Sequence, residues 1–253
     1  MQAVAIATRL DYYYFQGTNE DSVIHYTNKV KEFAKATHQP KYYYFAWANR
    51  LVTYYLKTSR TNIALYEVQN MLKEAQKEDD KTGLSRCYNI MSQIYTIKRF
   101  DSMAFEWRLK EIELTEKYNI ENYNISQTYA QIANYYISQK KQKEALRAVE
   151  KAISTANSST QQISAKLEYV NYYSKFGDFQ AAEKILKECQ IAFEQDKRLE
   201  SIKKRLYNIE CLYYQQTRQY QKALEAAEMQ EKEEHRLSES ILSSSHYRTQ
   251  GEI

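Results

Sequence analysis

Aromatic residues recur in pairs along the chain, at an interval of about forty residues. The second position of five pairs is a tyrosine, and Tyr95, which follows Ile94, takes the equivalent position in the third repeat. The six tyrosines are Tyr14, Tyr55, Tyr95, Tyr136, Tyr173 and Tyr214. These tyrosines are separated by 41, 40, 41, 37 and 41 residues. A fixed period of this length is typical of proteins built from repeated pairs of helices.

A small residue stands nine positions after each of these tyrosines in most repeats. The six positions hold Val23, Ala64, Ala104, Ala145, Ala182 and Ala223. The intervening segments, such as KTSRTN at 57–62, are polar and short, which suits only a tight turn between two helices. A small side chain after the turn lets the second helix approach the first, while the tyrosine fills the space between them. Each repeat is therefore predicted to be a helical hairpin of an A helix and a B helix.

The predicted fold is all-α, a right-handed α-solenoid of about six hairpins without strands. The units lie near residues 1–38, 39–80, 81–119, 120–159, 160–196 and 197–236. From residue 237 onward the period ends and serine becomes frequent, so 237–253 are predicted to form a terminal cap or connector. Pro40 and Gly177 stand where helices are expected to end.

Composition favours the same architecture. The 253 residues include four glycines and one proline, too few for the turns of a sheet protein or for glycine-rich phosphate loops. The 36 basic and 32 acidic residues leave a formal charge of only +4, so we expect no nucleic-acid partner. No apolar run approaches the ~20 residues of a membrane helix. A membrane segment is therefore not expected within this chain.

Residue types that carry catalysis or bind metals show no recognisable motif. Cys87, Cys189 and Cys211 lack C-x-x-C spacing, which favours packed thiols over a disulfide framework or a zinc site. The histidines are isolated, and no serine or cysteine stands in a nucleophile motif. We therefore expect no enzymatic activity, no metal and no cofactor.

These features resemble the tetratricopeptide-repeat (TPR) family, whose repeats carry an A-helix aromatic, a turn and an alanine nine residues later. The fifth unit, YVNYYSKFGDFQAAEKILKEC at 169–189, is the clearest match, with Gly177, Phe179, Ala182 and Leu186 at the family positions. The period near 40 and the tyrosine-rich units are similar to the TPR input region of two-component sensor histidine kinases of Bacteroidetes. That resemblance implies a sensory or regulatory role, with a membrane helix and a kinase following in a longer parent protein.

The TPR resemblance also implies a ligand-binding concave face made by the A helices. Two A-helix positions, six and two residues before the tyrosine, are four apart and share one face. They carry Asn49, Asn89 and Asn208 at the first position, and Asn134 and Asn171 at the second. TPR peptide receptors use groove asparagines to pair with the peptide backbone, because an amide offers donors and an acceptor together. We therefore predict a peptide or protein segment as the ligand.

Four basic residues fall on or near the same predicted face and could hold a carboxylate: Arg86, Arg205, Lys57 and Lys175. A different interpretation of the asparagines stays open, in which they are simply polar surface residues or hydrogen-bond between units.

Two functional hypotheses follow. In the first, the chain is the non-catalytic recognition portion of a signal-transduction protein of the sensor-kinase type. In the second, it is a cytoplasmic TPR regulator that binds a signalling peptide and controls a partner, similar to the peptide-pheromone receptors of Gram-positive bacteria. We expect a cytoplasmic location if residue 1 is the true start, and a periplasmic one if the chain is part of a membrane sensor kinase.

Overall fold

The computed structural model describes the backbone of residues 2–17, 19–120 and 124–249, and the side chains of 4–17, 19–40, 42–120 and 124–236. Within these ranges the chain forms helices joined by short turns and contains no strand. The prediction of an all-α fold of helical hairpins is confirmed. The side chains of the predicted connector at 237–253 lie outside the described residues, although the last helix runs to Thr249.

The chain divides into two compact units, Met1–Glu121 and Asn122–Ile253. The helices of the first unit are α1 (Gln2–Gln16), α2 (Glu20–Ala36), α3 (Pro40–Ala46), α4 (Thr53–Lys57), α5 (Thr61–Lys77), α6 (Lys81–Ile97) and α7 (Asp101–Tyr118). A π-helical segment, Trp47–Val52, joins α3 directly to α4.

The helices of the second unit are α8 (Ile125–Ser138), α9 (Gln142–Ser154), α10 (Ser159–Phe176), α11 (Phe179–Gln195), α12 (Lys203–Gln216) and α13 (Tyr220–Thr249). A short 3₁₀ segment, Lys197–Ile202, precedes α12. In this unit α8 packs on α9, α10 on α11 and α12 on α13, while α10 also packs between α8 and α12.

Two backbone hydrogen bonds account for the nine-residue spacing between tyrosine and alanine. In the α10–α11 turn, the N–H of Asp178 donates to the carbonyl of Tyr173 at 2.9 Å, and the N–H of Ala182 donates to the carbonyl of Asp178 at 3.1 Å. The first bond closes the end of α10, and the second opens α11. The same pair of bonds runs through the residue five positions after the tyrosine in four further turns, at Arg60, Phe100, Lys141 and Gln219.

The small residues of the repeat are buried in the first turn of the second helix of each hairpin. Ala64, Ala104, Ala145 and Ala182 are fully buried. Val23 also has no exposed surface, so the first repeat uses valine where the others use alanine. These positions form part of the buried cores of the hairpins. A larger side chain there would push the helices apart.

Candidate functional site

The predicted binding face can be followed on three neighbouring A helices of the second unit, α8, α10 and α12. We call it the α8–α10–α12 face and define it by Asn134, Asn171, Lys175, Arg205 and Asn208. Asn134 and Asn171 are half-buried, whereas Lys175 and Asn208 are exposed. The face therefore combines partly desolvated amides with charged and polar groups in contact with solvent.

A hydrogen bond between two of the predicted asparagines links α8 to α10. The Nδ2 of Asn171 donates to the Oδ1 of Asn134 at 2.7 Å. The structure thus shows a bond between successive hairpins, as the alternative interpretation of the asparagines required. The bond still leaves the amide N–H groups of Asn134 and the carbonyl of Asn171 available, since each amide group can make further hydrogen bonds.

A cavity of about 230 Å³ lies beside this asparagine pair. Ile137 and Leu212 supply apolar walls, and Lys175 stands at the same cavity. Pockets for drug-sized ligands usually have volumes of roughly 300 to 1,000 Å³. The cavity therefore suits one side chain of a longer ligand better than a whole small molecule.

The other end of the face carries a smaller cavity, of about 150 Å³, lined by Gln127, Gln161 and Ser164 among others. Arg205 also lines this cavity and forms an ion pair with Glu168 of α10. Arg205 is predicted to hold a carboxylate of a ligand. The charge of its guanidinium is already balanced by the internal carboxylate of Glu168.

Glu168 is a residue of this face that the sequence analysis missed. It is 1% exposed, and its Oε2 has no hydrogen-bond partner among the described residues. The signal was present in the sequence, since Glu168 stands three positions before Asn171 and shares its helix face. A buried carboxylate was not expected there, because its basic partner lies 37 residues away in sequence.

The predicted site residues of the first unit have different surroundings. The Nδ2 of Asn89 donates to both carboxylate oxygens of Glu111 at 3.2 Å, and Gln93 donates to its Oδ1 at 2.7 Å. The amide of Asn89 is therefore engaged on both sides by side chains of its own hairpin. Asn49 lies in the π-helical segment and is half-buried, as is Arg86 on α6.

Lys57, the remaining predicted residue, ends α4 and is exposed. Its ammonium lies 4.3 Å from the ring centroid of Tyr14. This distance is typical of a cation–π contact.

Two of the three thiols, those of Cys87 and Cys189, are buried. Burial raises the pKa of Cys87 to about 12 and that of Cys189 to about 11. A thiol with a raised pKa forms little thiolate at neutral pH and is a poor nucleophile.

Among the described residues, no cluster of histidine, cysteine and acidic side chains has the arrangement of a metal site. No described helix is both long and apolar enough to cross a bilayer.

Comparison with known proteins identifies the fold. No family model and no curated protein matches the sequence. BtubC (BKLC) from P. vanneervenii has a similar structure, with a TM-score of 0.63 and 15% identity over 87% of this chain and 93% of BtubC. The Rap protein, solved in complex with Competence and Sporulation Factor, has a TM-score of 0.63 and 13% identity over 94% of this chain. The matched region spans 65% of the Rap chain.

At these identities the likeness concerns the fold alone. No family model supports the resemblance to sensor-kinase input regions, which stays a hypothesis. The helical hairpins, their repeated turns and the two structural neighbours together show that this chain is an all-α helical-repeat protein.

Proposed function

We propose that this chain is a non-catalytic recognition scaffold whose α8–α10–α12 face binds an extended peptide or protein segment. The hydrogen bond from Asn171 to Asn134 is the observation that carries the proposal. It fixes two amide groups side by side and leaves donors on Asn134 and an acceptor on Asn171. One peptide group of an extended ligand offers the complementary carbonyl and N–H.

The asparagine pair gains strength as a recognition element because it is already ordered before the ligand arrives. A side chain that must be immobilised on binding costs about 0.5 to 1.5 kcal/mol. Because the bond between Asn134 and Asn171 already orders both side chains in the free protein, less of this entropy is lost on binding. The neighbouring cavity, with walls from Ile137 and Leu212, would receive an apolar side chain of the same ligand.

Regulation through a bound segment is the role that best fits such a scaffold. Support comes from the Rap protein, a chain of similar fold that was solved with Competence and Sporulation Factor bound. This likeness favours a regulator that binds a signalling molecule and controls a partner. A sensory portion of a two-component kinase is the other form of the same role, and a membrane helix with kinase motifs encoded downstream would favour it.

A selection with a random peptide library displayed on phage tests the proposal. Wild-type protein is compared with Asn134→Asp, which keeps an oxygen to accept the bond from Asn171 but loses both N–H donors. Asn157→Asp, at an exposed turn position outside the face, makes the same charge change and serves as the control.

We expect peptides to be enriched on the wild type and on Asn157→Asp, and to be lost from Asn134→Asp. Enrichment of the same peptides on all three proteins would show that the asparagine pair does not bind them. Failure to enrich any peptide above an uncoated surface would contradict peptide recognition itself.

A further inference from the structure

An apolar groove in the first unit is independent of the peptide face. It has a volume of about 500 Å³ and lies between α1, α2 and α3. Its main apolar residues are Val4, Ala7 and Leu10 on α1, Phe33 on α2, and Tyr42 and Phe45 on α3. The volume lies within the roughly 300 to 1,000 Å³ typical of small-molecule sites, which are also mostly apolar.

Large apolar side chains remain in contact with water along this groove. Val4 is 69% exposed, Tyr42 54% and Phe45 46%. Leu10 and Ala46, deeper in the groove, are buried. Covering this exposed apolar surface with hydrocarbon is favourable, because it removes the surface from water. The groove therefore offers an apolar ligand both a closed floor and uncovered walls.

Arg50 supplies a cationic group to the otherwise apolar lining. Its side chain is only 19% exposed, and its Nε donates to Oδ1 of Asp11 at 2.5 Å. Its Nη1 donates to the carbonyl of Asn49 at 3.1 Å. Among the described residues Nη2 has no hydrogen-bond partner, so one edge of the guanidinium is held in place while another edge stays open.

A second cation, Lys57, lies against the same tyrosine ring as Arg50. The guanidinium lies 5.0 Å from the ring centroid of Tyr14, and the ammonium of Lys57 lies 4.3 Å from the same centroid. Asp11 is the carboxylate paired with Arg50, whereas no ion pair joins Lys57 to a carboxylate among the described residues. Arg50 and Asp11 line the groove, and the cation of Lys57 beside Tyr14 adds a positive charge that favours a negatively charged group on a ligand.

We propose that this groove binds a single-chain amphiphile, with its hydrocarbon tail along α1, α2 and α3 and a carboxylate head group against Nη2 of Arg50. An apolar body satisfies the walls of the groove, and a carboxylate accepts from the open edge of the guanidinium in a charge-assisted hydrogen bond. The proposal involves only residues of the first unit and does not depend on peptide recognition by the second.

Titration calorimetry of the full chain with dodecanoate tests this site, with dodecanol and dodecyltrimethylammonium as head-group comparisons. We expect dodecanoate to bind at least about tenfold more tightly than dodecanol, and the cationic amphiphile to bind no more tightly than the alcohol. Arg50→Gln should reduce the affinity for dodecanoate to that for dodecanol.

A second pair of variants tests the location of the site. Ala7→Trp places an indole at an exposed position that lines the groove, and we expect it to weaken dodecanoate binding by at least about tenfold. Ala36→Trp makes the same change at an exposed position of α2 outside the groove and should leave binding unchanged.

The proposal is overturned if dodecanoate does not bind, or if the three amphiphiles bind equally well. It is also overturned if Ala7→Trp binds dodecanoate as the wild type does. Should Arg50→Gln fail to fold, the head-group comparison on the wild type still decides whether a carboxylate is preferred.

Discussion

Asn171 on α10 and Asn134 on α8 are joined by a hydrogen bond of 2.7 Å between their side-chain amides. The bond connects two successive hairpins of the second unit, at two positions where the sequence predicts ligand binding. The two residues therefore link the hairpins as well as having the proposed role in ligand binding. Experiments on them must separate the two effects.

Asn171→Ala isolates the structural part. The variant removes the donor to Asn134, and a typical protein hydrogen bond contributes about 0.5 to 1.5 kcal/mol. We expect the free energy of unfolding to fall by about 1 kcal/mol in urea denaturation. No change would mean that the bond does not stabilise the contact between the hairpins, and a loss above about 3 kcal/mol would indicate a larger packing role.

The repeat alanines provide a prediction about packing. Ala145 and Ala182 are fully buried at the first turn of their helices, where we predict that the two helices of the hairpin meet. Replacing either by leucine should overpack the contact and cost about 1 to 3 kcal/mol. Thermal unfolding measures the loss, and the exposed Ala36→Leu is the control for the same change outside the core. Equal melting temperatures for all four proteins would show that the alanines do not mark the contact.

The left-handed backbone of the turns predicts how substitutions there change the stability of the protein. Gly177 has a φ of +89°, and Lys140 occupies the equivalent turn position with a φ of +57°. Left-handed backbone costs a side-chain-bearing residue about 1 to 2 kcal/mol, and the lower entropy of the unfolded alanine variant offsets about 0.4 to 1 kcal/mol of this. Gly177→Ala should therefore destabilise the protein by about 0.5 kcal/mol in denaturant unfolding.

Lys140→Gly relieves the same strain but loses about 0.4 to 1 kcal/mol through the entropy of the unfolded chain. We therefore expect a small net gain, about 0.5 kcal/mol in denaturant unfolding. A loss of stability in Lys140→Gly would show that the lysine side chain contributes more than its backbone strain costs.

Glu210 predicts a specific dependence of stability on pH. Burial raises its pKa above 4.5, although a hydrogen bond from Gln190 acts in the opposite direction. Between the unfolded and the raised folded pKa, the native state binds more protons than the unfolded state, so stability falls as pH rises through this window. Glu210→Gln keeps a side-chain oxygen for Gln190 and removes the titration.

Urea unfolding at pH 4 and pH 7 measures the effect. From pH 4 to pH 7 the wild type should lose stability relative to Glu210→Gln, because the buried carboxylate of Glu210 becomes charged at the higher pH. A stability difference that is the same at both values would show that Glu210 does not titrate differently in the folded protein.

The hairpin register was predictable from the sequence because it follows from a local backbone pattern. A tyrosine carbonyl in the last turn of the A helix and an alanine in the first turn of the B helix are nine residues apart in every complete turn of this kind. The buried Val23 in the first repeat follows the same register. The regular spacing of tyrosines and small residues in the sequence was therefore enough to predict the helical hairpins.

The surroundings of the site residues were less predictable. The ion pair of Arg205 with Glu168 and the engagement of Asn89 by Glu111 both depend on which rotamers face each other across two helices. The π-helical segment at Trp47–Val52 has no glycine or proline to indicate it. The apolar groove is lined by side chains of three helices, and a pattern of single residues does not specify how these come together.

The affinity of a library-selected peptide for wild type and for Asn134→Asp tests the central claim most directly. Fluorescence polarisation with the labelled peptide should show at least about tenfold weaker binding to Asn134→Asp, because the N–H donors to the peptide carbonyl are lost. Asn157→Asp should bind as the wild type does, and all three proteins should have similar melting temperatures. Equal affinity of the wild type and Asn134→Asp would contradict peptide recognition by the α8–α10–α12 face.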